Sequence, residues 1–253
     1  MIEISHLCSG YPGRPVLKDI SAVFPSGALT VVAGPNGCGK STLLKTLCGI
    51  VSISSGDISI DSTPLSALRW PARTIAYLPQ NRPTPDITVE RLVLHGRFPY
   101  LSYPRRYRPQ DRESARQAMA MMGLLDMAET PVRELSGGIR QKVYLAMALA
   151  QDTPAILLDE PTTYLDIAHQ LQIMREARAL CAQGKTVVMV LHDLLMAMRT
   201  ADRLLILYEG RVAAQGSCGE VWESRCLDRV FGVALRRMDT PDGVQYYYAP
   251  PEG

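Results

Sequence analysis

Leu29-Thr-Val-Val-Ala-Gly-Pro-Asn-Gly-Cys-Gly-Lys-Ser-Thr-Leu-Leu-Lys-Thr-Leu-Cys48 is the stretch on which the fold turns. The apolar run Leu29 to Ala33 reads as a buried strand, and Leu43, Leu44 and Leu47 carry the spacing of a helix. Between them stand Gly34, four residues, then Gly39, Lys40 and Ser41. Strand, glycine loop and helix in that order form a phosphate-binding loop. Its glycines let the backbone from Gly34 through Asn36, Gly37, Cys38 and Gly39 wrap an anion with N–H groups inward. The helix N-terminus at Ser41 and Thr42 adds positive potential. Lys40 has the reach for β- and γ-phosphates, and the Ser41 hydroxyl suits Mg²⁺. The competing reading is a glycine-rich turn that happens to precede a helix, and it leaves the polar groups further along unexplained.

Length and composition narrow the class. A chain of 253 residues suits one large domain or a core with a sizeable insert. With 47% apolar and 21% charged residues it reads as an ordinary globular protein, and a net charge of +2 makes no electrostatic case for a nucleic-acid partner. Six cysteines are scattered without a Cys-x-x-Cys pair, so they read as reduced thiols of a cytosolic protein. The start, Met1-Ile-Glu-Ile-Ser-His6, has no signal-peptide character. No apolar run approaches the ~20 residues that span a bilayer. A role at a membrane would therefore be that of a peripheral subunit.

Working outward, residues 1 to 30 alternate apolar and polar with turns at Ser9-Gly10, Pro12-Gly13 and Pro25-Ser26-Gly27, an antiparallel β piece ahead of the loop. Tyr11 lies in one of those turns, either as a packing anchor or as a flat ring for a purine base. Beyond the first helix, Asp57 to Asp61 alternates as a strand, and Thr74 to Leu78 is a strand that stops at Pro79-Gln80. Residues 88 to 150 read as helical, with helices near Val89 to Val93 and from Ser114 to Met122. Gly96 to Pro109 between them is irregular and basic, by default a solvated loop. Leu135-Ser-Gly-Gly-Ile139 then runs into an Ala/Leu/Met-rich helix, so Ser136, Gly137 and Gly138 offer bare amides at a helix N-terminus, a second anion site.

Ala155 to Leu158 is a buried strand that ends in Asp159-Glu160. Adjacent acids closing an apolar strand are costly to bury without a task. Phosphoryl chemistry supplies one: Asp159 for Mg²⁺, Glu160 for the attacking water. Asp166 follows in a short loop before a helix to about Ala182. Thr186 to Leu191 is a continuous apolar strand that terminates in His192-Asp193. Each of Gly34–Ser41, Gln80, Asp159–Glu160 and His192 thus follows an apolar strand, at the edge where open α/β sheets bind ligands. Arg203 to Ala214 and Ala234 to Tyr248 read as hairpins around Glu209-Gly210 and Pro241-Asp-Gly243, with residues 219 to 232 helical. The expected architecture is an α/β P-loop NTPase (RecA-like) core with an antiparallel β subdomain and an inserted helical subdomain. Residues 1–87 form the first part of the core, 88–150 the insert, and 151–253 the second part with a C-terminal extension.

Taken together, the phosphate loop, Gln80, Leu135-Ser-Gly-Gly138, Leu158-Asp-Glu-Pro-Thr162, Asp166 and His192 resemble the ATP-binding subunit of an ABC transporter over essentially the whole chain. The resemblance implies ATP and Mg²⁺ as cofactors and a head-to-tail homodimer. Each ATP would lie between the phosphate loop of one subunit and Ser136-Gly137-Gly138 of the other. It further implies that Tyr11 stacks on adenine, that Gln80 contacts Mg²⁺ and senses the partner, that Asp166 borders the nucleotide, and that His192 holds the γ-phosphate. The signature motif departs from the family pattern at its fifth residue, Ile139 in place of glutamine. Pro161-Thr-Thr-Tyr-Leu-Asp-Ile167 and Gly96-Arg-Phe-Pro-Tyr100 look like the importer branch for ferric siderophores and haem, with cobalamin importers as close relatives. That branch implies a site on the cytoplasmic face of the inner membrane. Its partners are an integral membrane permease, with Arg97, Phe98 and Tyr100 near the contact, and indirectly an extracytoplasmic binding protein. A soluble non-transport ABC ATPase and a P-loop kinase are the alternatives; the first usually carries two nucleotide domains or a long coiled coil, and the second lacks the signature motif.

Overall fold

The computed structural model of the chain describes residues 1–69, 71–163, 165–241 and 243–249. Tyr164 and Asp242, which figure in two of the motifs above, lie outside them. In chain order the elements are β1 (Ile2–Tyr11), β2 (Arg14–Phe24), β3 (Leu29–Ala33), α1 (Lys40–Leu47), β4 (Ile53–Ile60), β5 (Thr63–Pro64), β6 (Ile75–Leu78), α2 (Val89–Leu94), α3 (Pro109–Met121) and α4 (Gly137–Ala150). They continue with β7 (Ala155–Asp159), α5 (Ile167–Ala182), β8 (Thr186–Val190), α6 (Leu194–Thr200), β9 (Arg203–Tyr208), β10 (Arg211–Gly216), α7 (Cys218–Glu223), α8 (Cys226–Phe231), β11 (Ala234–Thr240) and β12 (Gly243–Ala249). The chain forms two compact units, Met1–Leu68 with Ala177–Gly253, and Arg69–Glu176.

In the first unit β3 pairs in parallel with β8 on one side and β9 on the other, while β10 returns antiparallel along β9. Every residue of β3 and β8 is buried. This matches their unbroken apolar character, since parallel strands are covered on both faces. β1 pairs antiparallel with both β2 and β4, as the alternating pattern at the N-terminus predicts. Gln215 on β10 ties this second sheet to the first: its amide Nε2 donates to the Val23 carbonyl at 2.6 Å, and the Lys18 N–H donates to Gly210 O at 2.7 Å. β11 and β12 pair antiparallel as a separate hairpin.

The second unit contains the parallel pair β6–β7 and a helical layer of α2, α3 and α4. Ala115, Ala118 and Met119 of α3 join Val89, Leu92 and Val93 of α2 and Val143 and Ala146 of α4 in its core. Two features differ from the sequence reading. First, α3 starts at Pro109 rather than Ser114. Proline is pre-set for the first turn, and Asp111 accepts from the Arg108 backbone N–H at 2.9 Å, capping the helix start. Second, His95–Tyr100 is not a solvated loop but a 3₁₀ turn whose Gly96 and Arg97 are buried. The Arg97 guanidinium points inward: Nε donates to Asp111 Oδ1 at 3.2 Å, and Nη1 to the carbonyls of Ala150 at 3.0 Å and Gln151 at 3.3 Å. Asp111 is fully buried. Burial alone would raise its pKa; the hydrogen bonds from Arg108 and Arg97 outweigh that and hold the carboxyl below the ordinary aspartate value. The basic residue at position 97 therefore serves the core of this unit, which corrects its expected place on a contact surface. Phe98 remains 48% exposed, its ring covered by the Arg105 guanidinium at 4.6 Å, and Tyr100 is half-buried beneath Arg97.

Candidate functional site

The glycine loop joins β3 to α1. Gly39 precedes the helix at φ +112°, and a Cβ there would come within 2.8 Å of the Leu17 side chain. At Gly34 a Cβ would strike the Leu207 carbonyl at 2.2 Å. Only glycine tolerates both the conformation and the approach. Asn36 and Gly37 are exposed, whereas Cys38 lies buried beneath the loop and its thiol is pushed up by burial. Lys40 is buried too, and its ammonium donates to Gly34 O at 2.7 Å and Pro35 O at 3.0 Å. The cation is thus held by the carbonyls of its own loop, and an anion placed in the loop would exchange these neutral partners for charged ones. Charge-assisted bonds are roughly twice as strong as neutral ones, so that exchange is favourable.

In the same unit, the register of β3 against β8 sets Val32 opposite Val190, so the phosphate loop and His192 leave the sheet at the same edge. His192 is exposed, and Asp193 beside it caps α6 by accepting from the Met196 N–H at 3.0 Å. Tyr11, 44% exposed, sits at the tip of the β1–β2 hairpin opposite Arg14.

The second unit assembles the carboxylates by the same logic. Parallel pairing of β6 and β7 places Leu78 opposite Leu158. Two residues on, Gln80 and Glu160 come level, and Gln80 Nε2 donates to Glu160 Oε2. Thr163 Oγ1 lies 3.5 Å from the same oxygen. Glu160 is buried at φ +52°, a left-handed conformation that costs a non-glycine residue roughly 1–2 kcal/mol. Strain of this kind persists only where surrounding contacts over-determine the backbone. Asp159, fully buried, accepts from the Tyr77 hydroxyl at 3.2 Å.

The signature segment forms the N-terminus of α4. Ser136 caps it, accepting from the Ile139 N–H at 3.4 Å, so the residue that departs from the family pattern contributes its backbone to the cap. Ser136 and Gly137 are exposed, and nothing stands within 4 Å of a Cβ built on Gly137. Asp166 accepts from both the backbone N–H and ring Nδ1 of His169, each at 2.8 Å, and these bonds hold its carboxyl below the ordinary range. The sequence reading passed over Tyr77, Arg82, Gln141, Tyr144 and His169, which contact the candidate residues or their loops. Only His169 carried a local signal, lying three residues after a helix-capping acid.

Residues 17–163 match the family model described as ABC transporter. The chain belongs to the ABC transporter family. Among its relatives, the ferric enterobactin transport ATP-binding protein of Escherichia coli (strain K12) is 40% identical over 239 residues, 93% of this chain and 88% of that protein. The iron(3+)-hydroxamate import ATP-binding protein of Bacillus subtilis (strain 168) is 41% identical, covering 95% and 91%. The hemin import ATP-binding protein of Rhodococcus jostii (strain RHA1) is 40% identical, covering 90% and 79%. Among solved structures, a metal-chelate type ABC transporter in an inward-facing conformation superposes with a TM-score of 0.85 at 26% identity, covering 99% of this chain and 97% of that one. The chain is an ATP-binding subunit of this family, with its P-loop NTPase fold and ATPase activity. Among the described residues of this ABC ATPase, no helix is long and apolar enough to cross a membrane.

Proposed function

We propose that this ABC ATPase drives import of an iron chelate, a ferric siderophore or haem, working as a head-to-tail homodimer on the cytoplasmic face of the inner membrane. What supports the chelate class is the naming of relatives at about 40% identity along nearly the whole chain. Its partners are then a membrane permease and, through it, an extracytoplasmic binding protein. Residues 88–150 act as the insert that meets the permease, with Phe98 and its neighbour Tyr100 at the contact, the residue types enriched at interface centres.

The observation that carries the hydrolytic reading is the Gln80–Glu160 hydrogen bond at the ends of paired parallel strands. A carboxylate there, held by a neutral amide, can accept a proton from water while the amide follows the γ-phosphate. In this reading the amides of Gly34 to Thr42 and Lys40 bind the phosphates, Tyr11 stacks on adenine, and His192 bonds the γ-phosphate. Ser136, Gly137, Gly138 and Asp166 close the partner's site. Ser41, Gln80 and Asp159 each offer an oxygen donor of the kind that suits Mg²⁺, a cation that leans on substrate phosphates and keeps several waters. When bound, Mg²⁺ would supply positive charge that offsets the charge developing on the phosphates, with Ser41 and Asp159 to hold it.

The test is Glu160→Gln, expected to bind ATP and accumulate as a dimer without turnover, set beside Lys40→Ala, expected to lose nucleotide binding. Near-normal ATPase activity in Glu160→Gln would overturn the assignment. Phe98→Ala in the assembled transporter should fold and bind ATP yet lose stimulation by the permease. Transport assays with haem and ferric siderophores decide the chelate.

A further inference from the structure

Glu160 belongs to a closed circuit of hydrogen bonds that reaches the signature helix. Gln80, bonded to Glu160, is followed two residues later by Arg82. Arg82 Nε donates to Pro79 O at 2.6 Å, and its Nη1 donates to the side-chain oxygen of Gln141 on α4. The Gln141 amide nitrogen donates in turn to the carbonyl of Pro161, the residue that follows Glu160. Tyr144, one turn further along α4, places its ring under the Arg82 guanidinium at 5.5 Å and donates its hydroxyl to Pro83 O. Burial pushes Arg82 down to about 10, still charged at neutral pH. Gln80, Arg82, Gly137, Arg140, Gln141 and Thr163 also line one cavity of about 340 Å³.

The circuit gives Gln141 an unusual position. Its oxygen holds the strand-end loop of Gln80, its nitrogen holds the loop of Glu160, and its backbone is the second turn of the helix capped by Ser136. We infer that Gln141 is a positioning residue that sets the backbone of Glu160 according to the placement of the signature helix. Resting on the head-to-tail reading, this means that closure of Ser136-Gly137-Gly138 on one ATP aligns Glu160 at the other. The left-handed backbone of Glu160 is what makes such control effective. A strained conformation persists only while the contacts around it hold it there, and the bond to the adjacent Pro161 carbonyl is the one of those contacts that comes from α4.

The experiment compares Gln141→Leu and Gln141→Glu with the unaltered protein in the full transporter. Leucine keeps volume and helix propensity but removes both bonds, and the adjoining cavity admits water to the groups left behind. Glutamate keeps an acceptor for Arg82 and loses only the donor to Pro161. Both variants should bind ATP with affinity within about twofold of the unaltered protein, while kcat falls by about tenfold or more and the Hill coefficient for ATP drops toward 1, as expected for misplaced catalytic geometry. Normal kcat and cooperativity in Gln141→Glu would overturn the inference. So would a parallel loss of ATP affinity and thermal stability in both variants, which is the mark of a merely structural residue. If the unaltered protein already shows a Hill coefficient of 1 and Glu160→Gln forms no ATP-dependent dimer, the head-to-tail reading itself falls, and the two-site inference with it.

Discussion

Replacing Arg97 by methionine tests whether this arginine is core or contact surface. At 3.2 Å from Asp111 and an effective dielectric of about 20, the gross attraction is about 5 kcal/mol. Most of that was spent on desolvating the two groups, so the relevant quantity is the cost of leaving one of them alone. Breaking a buried pair by removing a partner costs about 3–5 kcal/mol. Asp111 keeps its hydrogen bonds from Arg108, which favours the lower end, about 3 kcal/mol. For a chain of this size that corresponds to a drop in melting temperature of about 6–12 °C. Phe98→Ala, at a half-exposed neighbour, should cost about 1 kcal/mol. The assay is thermal unfolding followed by circular dichroism, with ATP binding as a check on the phosphate loop. Because the folded Asp111 pKa is depressed, its contribution is complete above the ordinary value of 3.8 and is lost as pH falls through the folded pKa. The gap between Arg97→Met and the unaltered protein should therefore hold at neutral pH and narrow only under acid conditions. A melting temperature within about 1 °C of the unaltered protein, with loss of permease stimulation, would refute the core assignment.

Two further outcomes follow from burial. The Cys8 thiol is lowered by the Ser55 side chain and by the Asp19 N–H at 3.3 Å, while burial raises Cys38 and pushes Cys48 to about 12; limiting maleimide at neutral pH should label Cys8 first and spare ATPase activity, whereas inhibition should appear slowly with Cys38 labelling and be blocked by Mg-ATP. Peptide mapping by mass spectrometry checks this, and early labelling at Cys38 would contradict it. A Cβ at Gly96 would meet the Met147 carbonyl at 2.1 Å, so Gly96→Ala should force the 3₁₀ turn away from α4 and destabilise by about 1–3 kcal/mol in denaturant unfolding.

The amino-acid sequence by itself determined those features whose physics is local. The phosphate loop needs glycines at fixed offsets between a strand and a helix, and that pattern lies within twenty consecutive residues. Buried parallel strands announce themselves as unbroken apolar runs, which is why the ends of β3, β6, β7 and β8 marked Lys40, Gln80, Glu160 and His192 in advance. Ser136 at a helix start was legible for the same reason. Partners were not legible. Arg97 reads as a surface cation until the fold brings Asp111 and the carbonyl of Ala150, 14 and 53 residues away, around its guanidinium. Arg82 and Gln141 lie 59 residues apart, and no local pattern pairs them. Side-chain hydrogen bonds between distant segments depend on register and helix packing, which a linear pattern constrains only to a face. The tertiary structure therefore decided which polar residues turn inward, and with that, what holds Glu160 in place.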